Sequence, residues 1–296
     1  ERSAFNTGNV LANDTDPASG DVLTVSSFDT AQTLGLVVSN GDGTFLYDPN
    51  GQFNWLASGE VAYDTFTYTV TDGDGGFSTA TVTITITGIN DAPAITAPAD
   101  QFVNEDEVLG PLTVLLSDAD TDPTLLQLTA VSSDQTLIPD SQIVIGGSGG
   151  VRTIQLLPAQ DAHGGPVTFT LAVSDGSHVV YSSFTVTINP VNDAPLLNDA
   201  VFQLNENSAA GTLVGLLPVI DPDTGDSWTY QILSGNTGGA FSINNAGELQ
   251  VTNSGALDYE VRQQWQLVVQ VTDSFGAAAT ANVTVNLLDL NVSPPT

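Results

Sequence analysis

The 296-residue chain has no cysteine and no lysine; its only bases are Arg2, Arg152 and Arg262, set against 27 Asp and seven Glu for a formal net charge of −31. Without cysteine there is no disulfide, no thiolate nucleophile and no thiolate-bound zinc. Without lysine there is no Schiff-base chemistry and no lysine-containing side-chain crosslink. Binding phosphates requires clustered cations, so nucleic acid and anionic membrane surfaces are excluded as partners. No apolar run approaches the ~18 residues that cross a bilayer, so no membrane insertion is expected. The opening Glu1-Arg2-Ser3-Ala4-Phe5 lacks the basic and apolar regions of a signal peptide. Helical patterning is missing as well: no segment holds a 3.6-residue apolar period over three turns.

Charged residues are only 12% while hydrophobic ones reach 41%. That composition separates the chain from an acidic disordered tail, which lacks core-forming residues. The Asp-over-Glu bias favours turns and loops over helices, because Asp bonds to its own backbone there. An extracellular chain with no disulfides and no lysine crosslinks has few staples left, and a metal held by oxygen ligands is the obvious one.

The architecture follows from internal repeats. Ile89-Asn90-Asp91-Ala92-Pro93 recurs as Val191-Asn192-Asp193-Ala194-Pro195, and a degraded copy, Leu290-Asn291-Val292-Ser293-Pro294, closes the chain. Each marker follows an alternating apolar/polar stretch (residues 81–86, 184–188 and 281–285), and upstream of each lies another that ends in Asp72, Asp175 or Asp273. Period-two alternation rich in Val, Ile, Thr and Phe predicts half-buried antiparallel strands. Gly-rich turns such as Asn40-Gly41-Asp42-Gly43 and Asp72-Gly73-Asp74-Gly75-Gly76 separate them. A spacing of about 100 residues is that of one Greek-key sandwich. The expectation is an all-β chain of three tandem Greek-key sandwich modules, residues 1–93, 94–195 and 196–296, forming an elongated rod. The first is expected to be clipped, lacking the leading segment that residues 94–104 supply in the second, as in an interior fragment of a longer array.

The motifs carry a resemblance. Residues 35–93 resemble the bacterial VCBS-type repeat through Asn40-Gly41-Asp42-Gly43-Thr44-Phe45, Tyr47-Asp48-Pro49, Asp64-Thr65-Phe66-Thr67-Tyr68, Asp72-Gly73-Asp74-Gly75 and Gly88-Ile89-Asn90-Asp91-Ala92-Pro93. Residues 201–291 resemble a cadherin repeat through Asn205-Glu206-Asn207, Asp221-Pro222-Asp223, Leu257-Asp258-Tyr259-Glu260 and Val271-Thr272-Asp273. The middle module is a divergent relative that keeps Asn104-Glu105-Asp106, Asp118-Ala119-Asp120 and Ser174-Asp175. Both families imply calcium-dependent adhesion or stalk modules of large secreted proteins, here of the RTX-adhesin-like bacterial type.

Three acid positions recur in register: an early Glu (Glu1, Glu105, Glu206), a paired Asp (Asp14/Asp16, Asp118/Asp120, Asp221/Asp223) and the strand-end Asp (Asp72, Asp175, Asp273). Calcium takes six to eight oxygen ligands in flexible geometry, which loops at facing module ends can supply. Similarity to cadherins assigns the sharing. It implies Glu1, Asn90, Asp91, Asp118, Asp120 and Asp175 at the first junction, with Glu60 or Asp64 alongside. At the second it implies Glu105, Asp161, Asn192, Asp193, Asp221, Asp223 and Asp273, and below a third the set Glu206, Asp258, Glu260, Asp289 and Asn291. The linkers depart from the cadherin pattern, which expects a further Asp at Gly88 and Pro190. The competing reading, that these acids merely cap turns, suits a single Asp-Gly turn better than a set repeated in register.

Weaker patterns are set aside. Gly146-Gly147-Ser148-Gly149-Gly150 satisfies G-x-S-x-G, but a strand follows where a nucleophile elbow needs a helix, so a hairpin tip is expected. His163 and His178 share no metal-binding spacing and read as surface or turn histidines. Asp72-Gly73-Asp74 starts like an EF-hand loop without its helices, and Trp55, Trp228 and Trp265 are expected to pack in cores or at module ends. The chain is therefore read as no enzyme but as an extracellular, secreted structural and adhesive stalk, its partners calcium ions and adjacent modules. The alternative is a carbohydrate- or protein-binding module within a secreted protein.

Overall fold

The computed structural model describes residues 1–17 and 20–290. Among them there are strands and four short 3-10 turns but no α-helix, and no helix is long and apolar enough to cross a membrane. The all-β expectation holds. The chain divides into two compact units, Glu1–Asn189 and the residues from Pro190 onward.

The first unit holds two separate cores. One lies between a sheet of Phe5–Asn6, Phe45–Asp48 and Leu36–Ser39 and a sheet of Thr24–Asp29, Val61–Thr71 and Phe77–Thr87. Phe45, Tyr47, Phe66, Tyr68, Ile84 and Ile86 fill it. The other lies between two four-stranded sheets. One orders Gln127–Ser132, Gly164–Ser174, Val179–Asn189 and Gln101–Asn104; the other Ile143–Ser148, Val151–Leu156, Leu109–Ser117 and Ala94–Thr96. Its core includes Val114, Ile154, Phe169, Leu171 and Val186. The second unit repeats the plan around Trp265, Leu267, Val269 and Val283, with Ala200–Asn205, Ala278–Leu288, Gln264–Thr272 and Thr229–Ser234 in its largest sheet.

The alternation seen in the sequence is the cause of this burial. Along Val61–Thr71 the inward positions are Asp64, Phe66, Tyr68 and Val70, and along Gln264–Thr272 they are Trp265, Leu267, Val269 and Val271. Each long hairpin turns at its strand-end Asp. Asp72 Oδ1 accepts from the N–H of Asp74 (2.8 Å) and Gly76 (2.9 Å), Asp175 Oδ1 from Ser177 and His178 (both 2.6 Å), and Asp273 Oδ1 from Phe275, Gly276 and Ala277. The G-x-S-x-G stretch is a hairpin tip as expected, Ser148 pairing with Val151 across Gly149 and Gly150.

The tryptophans divide. Trp265 is buried edge-on against Phe241, with ring centroids 5.7 Å apart, and Trp228 is half-buried on the same core. Trp55 corrects the expectation: it is 58% exposed. Phe53 and Leu56, on either side of it, take the two inward places of that turn.

Candidate metal centres

The first set of acids lies wholly within the first unit, at the link between its two cores. Asn90 is the hub: its Nδ2 donates to Asp175 Oδ2 (2.8 Å) and to the Asp91 carbonyl (2.6 Å). The Asp91 N–H faces Asp120 Oδ2 at 3.3 Å, and Asp118 Oδ1 accepts from the N–H of Asp120 at 3.1 Å. Glu1 Oε2 accepts from the Ile89 N–H at 2.6 Å. Arg152 steadies the loop that carries the paired Asp, its guanidinium donating to the carbonyls of Pro123 (3.3 Å) and Leu126 (3.2 Å). All six residues assigned to this junction therefore converge.

Several of their oxygens are buried with no hydrogen-bond donor: Glu1 Oε1, Asp91 Oδ2, Asp118 Oδ2 and Asp120 Oδ1. A buried, unsatisfied carboxylate oxygen is costly unless a cation answers it. Burial, then the neighbouring Asp120 carboxylate, pushes the Asp118 carboxyl up. Asp175 goes the other way: burial would raise it, but the N–H donors of its hairpin, the Asn90 amide and His178 outweigh that and hold it at about 2. Arg2 reaches Asp91 as an ion pair, placing the one positive charge near this set. The donor set of hard oxygens, several of them unanswered, fits calcium.

The second unit reproduces the arrangement bond for bond. Asn192 Nδ2 donates to Asp273 Oδ2 (2.9 Å) and to the Asp193 carbonyl (3.0 Å). The Asp193 N–H donates to Asp223 Oδ2 (2.7 Å), and Asp221 Oδ1 accepts from the Asp223 N–H (3.0 Å). Again oxygens stay buried without donors: Asn192 Oδ1 and Asp221 Oδ2. Thus the strand-end Asp does both things weighed from the sequence. One oxygen caps the hairpin while the other is held by the linker Asn.

Of the remaining residues, Glu105 is buried at 3% exposure with His163 Nδ1 at 3.2 Å from its Oε2, and the Asp161 N–H donates to Asp106 Oδ1 at 3.2 Å. In the second unit, Glu206 Oε2 accepts from the Tyr259 N–H (3.2 Å) and Oε1 from the Leu290 N–H (2.9 Å). One carboxylate oxygen each of Glu206, Glu260 and Asp289 lies within 4.8 Å of the others. Asp258 instead accepts from the Val261 N–H at its own turn, and Asn291 lies outside the described residues. Both histidines stand beside these acids rather than on open surface: His178 Nδ1 is 2.8 Å from Asn90 Nδ2.

Three features differ from the sequence reading. Asp64 belongs to the first core and not to the junction: all its oxygens serve Leu34, Gly35, Thr65 and Tyr47. Glu60 Oε2 caps its own turn at the Ala57 N–H, 3.1 Å away. Asn54 and Asp226 were missed. Asn54 Oδ1 is buried without a donor and lines a cavity of about 350 Å³ with Asp91 and Asp118. Asp226 brings a carboxylate oxygen within 4.8 Å of those of Asp221 and Asp223. The signal for Asp226 was present as a third acid three residues after the pair; Asn54, in a loop with no matching motif, gave none.

Gly88 has a steric explanation. Its N–H donates to the Glu60 carbonyl at 2.8 Å, and a Cβ there would run into the carbonyls of Ala57 and Leu56. Gly88→Asp is therefore expected to destabilise the first sandwich by about 1–3 kcal/mol, read as a lowered urea midpoint. A wild-type midpoint would mean that the position admits the acid.

Residues 1–88 match the bacterial cadherin-like domain, 90–189 the bacterial Ig domain and 200–288 the cadherin domain. Among curated proteins, the protocadherin-like wing polarity protein stan of Drosophila melanogaster is 33% identical over 155 residues, which is 50% of this chain and 4% of that protein. The mouse cadherin-related family member 2 is 35% identical over 125 residues, 39% of this chain and 10% of the relative. The chain thus spans only a small part of the curated relatives it matches. The human desmocollin-1 ectodomain superposes with a TM-score of 0.53 at 17% identity, covering 100% of this chain and 60% of that one. The protocadherin gammaB7 EC3-6 structure does so with 0.51 at 19%, covering 95% and 70%. At these identities the superpositions establish the fold. In chain order, then, the matched segments are similar to a bacterial cadherin-like domain, a bacterial Ig domain and a cadherin domain.

Proposed function

We propose that this chain is a structural and adhesive segment of an extracellular stalk, part of a large bacterial surface protein of the VCBS/RTX-adhesin kind, with calcium stiffening the joints between its modules. The modules are residues 1–93, 94–195 and 196–296. The observation that carries the reading is the repeated hydrogen-bond scheme. Asn90, Asp91, Asp118, Asp120 and Asp175 make the same bonds as Asn192, Asp193, Asp221, Asp223 and Asp273, and both sets bury carboxylate oxygens that no donor reaches. Turn-capping accounts for the oxygens that have donors and leaves the others unexplained.

At the first set, Glu1, Asn90, Asp91, Asp118, Asp120 and Asp175 would hold the ion, and Asn192, Asp193, Asp221, Asp223 and Asp273 would serve in the second unit. The ion supplies positive charge to a crowd of carboxylates and ties the linker to the loops it crosses; it does no catalysis. The similarity to cadherin-named proteins supports adhesion, and the bacterial descriptions of two of the matched domains support the source.

The test is thermal unfolding in chelator and in calcium. Extracellular calcium modules bind with constants of ~0.1–1 mM, so a hundredfold excess adds about 2.7 kcal/mol per independent site. The melting temperature should climb with calcium and far less with magnesium, which demands tighter octahedral geometry. Indifference to calcium at about 10 mM would refute the reading.

A further inference from the structure

The strand Phe77–Thr87 is the last in its sheet, paired on one side only, with Val61–Thr71. Its counterparts in the other two sandwiches are interior. Val179–Asn189 carries Gln101–Asn104 alongside it in parallel, and Ala278–Leu288 carries Ala200–Asn205 in the same way. Three bonds fix the equivalence. The Glu105 N–H donates to the Asn189 carbonyl (3.0 Å), the Glu206 N–H to the Leu288 carbonyl (3.1 Å), and the Glu1 amine to the Thr87 carbonyl (3.3 Å). Their side chains agree, since Glu1 accepts from the Ile89 N–H as Glu206 does from the Leu290 N–H. Glu105 and Glu206 are each reached from a strand that runs along the edge and contributes one buried apolar residue two positions earlier, Val103 or Leu204. Beside Phe77–Thr87 that place is a groove of about 400 Å³, lined by Phe5, Val10, Tyr68, Ala80, Val82 and Ile84.

An unpaired edge presents free N–H and C=O groups that template another strand. Matching Thr87 to Asn189 sets Thr83 and Thr85 against Thr185 and Thr187. The Thr185 N–H points outward, to Asp100 Oδ1 at 2.7 Å. By the two-residue alternation of a strand, the N–H groups of Thr83, Thr85 and Thr87 face the open edge.

We propose that this edge is the docking site for one further strand: extended, parallel to Phe77–Thr87, apolar two residues before its end, and running directly into Glu1. Gln101–Asn104 and Ala200–Asn205 show the chemistry it needs. Tethering ahead of Glu1 gives such a strand a millimolar effective concentration, enough for a short segment to pair.

Amide exchange tests this on the full chain, alone and with a copy of residues 97–104 joined ahead of Glu1. Expected is at least about tenfold slower exchange at Thr83 and Thr85 in the extended chain, with little change at Ile84, whose N–H faces the neighbouring strand. The same extension carrying Val103→Asp in the copied segment should give no such protection. Equal protection with and without the extension, or equal protection by the Asp-bearing version, would overturn the proposal. So would protection of the unextended chain that grows with concentration, which would assign the edge to a second copy. None of these readouts depends on calcium, so they stand apart from the metal reading.

Discussion

Replacing Asp64 with alanine is expected to destabilise the first sandwich by about 3–5 kcal/mol. Asp64 is 3% exposed among the apolar side chains of its strand. It accepts from the N–H of Gly35 (2.9 Å), Leu34 (3.1 Å) and Thr65 (2.9 Å), and from the Tyr47 hydroxyl (2.7 Å). Burial alone would raise its carboxyl, but these donors outweigh burial and hold it below the ordinary value. The same pair pushes the Tyr47 hydroxyl up, through burial first and the Asp64 carboxylate second. Alanine would strand four donors in a dry core. Because the folded-state value lies below the unfolded one, the contribution of Asp64 is fully present above the unfolded carboxyl pKa of about 3.9. It is lost as pH falls through the folded value, so the acid limb of stability below about pH 4 should flatten in Asp64→Asn. Urea melts followed by hydrogen exchange of Val61–Thr71 measure both effects. A midpoint within 1 kcal/mol of wild type in Asp64→Ala, or an unchanged acid limb in Asp64→Asn, would show that this carboxylate does not hold the core.

The second large effect separates the acids by role. Asp118→Asn should weaken calcium binding at the first set by at least about tenfold and cancel most of the ~2.7 kcal/mol of calcium-dependent stabilisation there at a hundredfold excess of ion. The substitution removes a full charge from a side chain whose Oδ2 is buried without a donor. Asp122, four residues along the same loop, is the control. Its Oδ1 is occupied by the N–H and hydroxyl of Thr124, both at 2.8 Å, and those donors hold its carboxyl down. Asp122→Asn should leave the titration unchanged, and Asp258→Asn, at a turn of its own, should change it little. Calorimetric titration of the three variants decides. If Asp122→Asn abolishes the tightest event while Asp118→Asn leaves it intact, the acids have been given the wrong roles.

Much of this molecule is local in origin. Alternation with a period of two is a property of neighbouring residues, so strands, their inward faces and the all-β class were readable from composition and order alone. The in-register Glu, paired Asp and strand-end Asp were readable for the same reason, since each is a fixed offset from a repeated strand.

Contacts between distant segments were not readable. Asp64 sits in an alternating strand like any junction acid, and only the approach of Leu34, Gly35 and Tyr47 makes it a core carboxylate. Gly88 looks like a lost ligand until the Leu56 and Ala57 carbonyls occupy the space its side chain would need. Asn54 has no motif and is brought to Asp91 and Asp118 by the path of its loop. Trp55 lies beside two inward residues, and which of three apolar neighbours turns outward depends on the core they share. Sequence by itself determined which residues alternate and recur, because those are relations along the chain. The tertiary structure decided which oxygens already have donors and which are left for an ion, because satisfaction of a buried polar group depends on whatever folds against it.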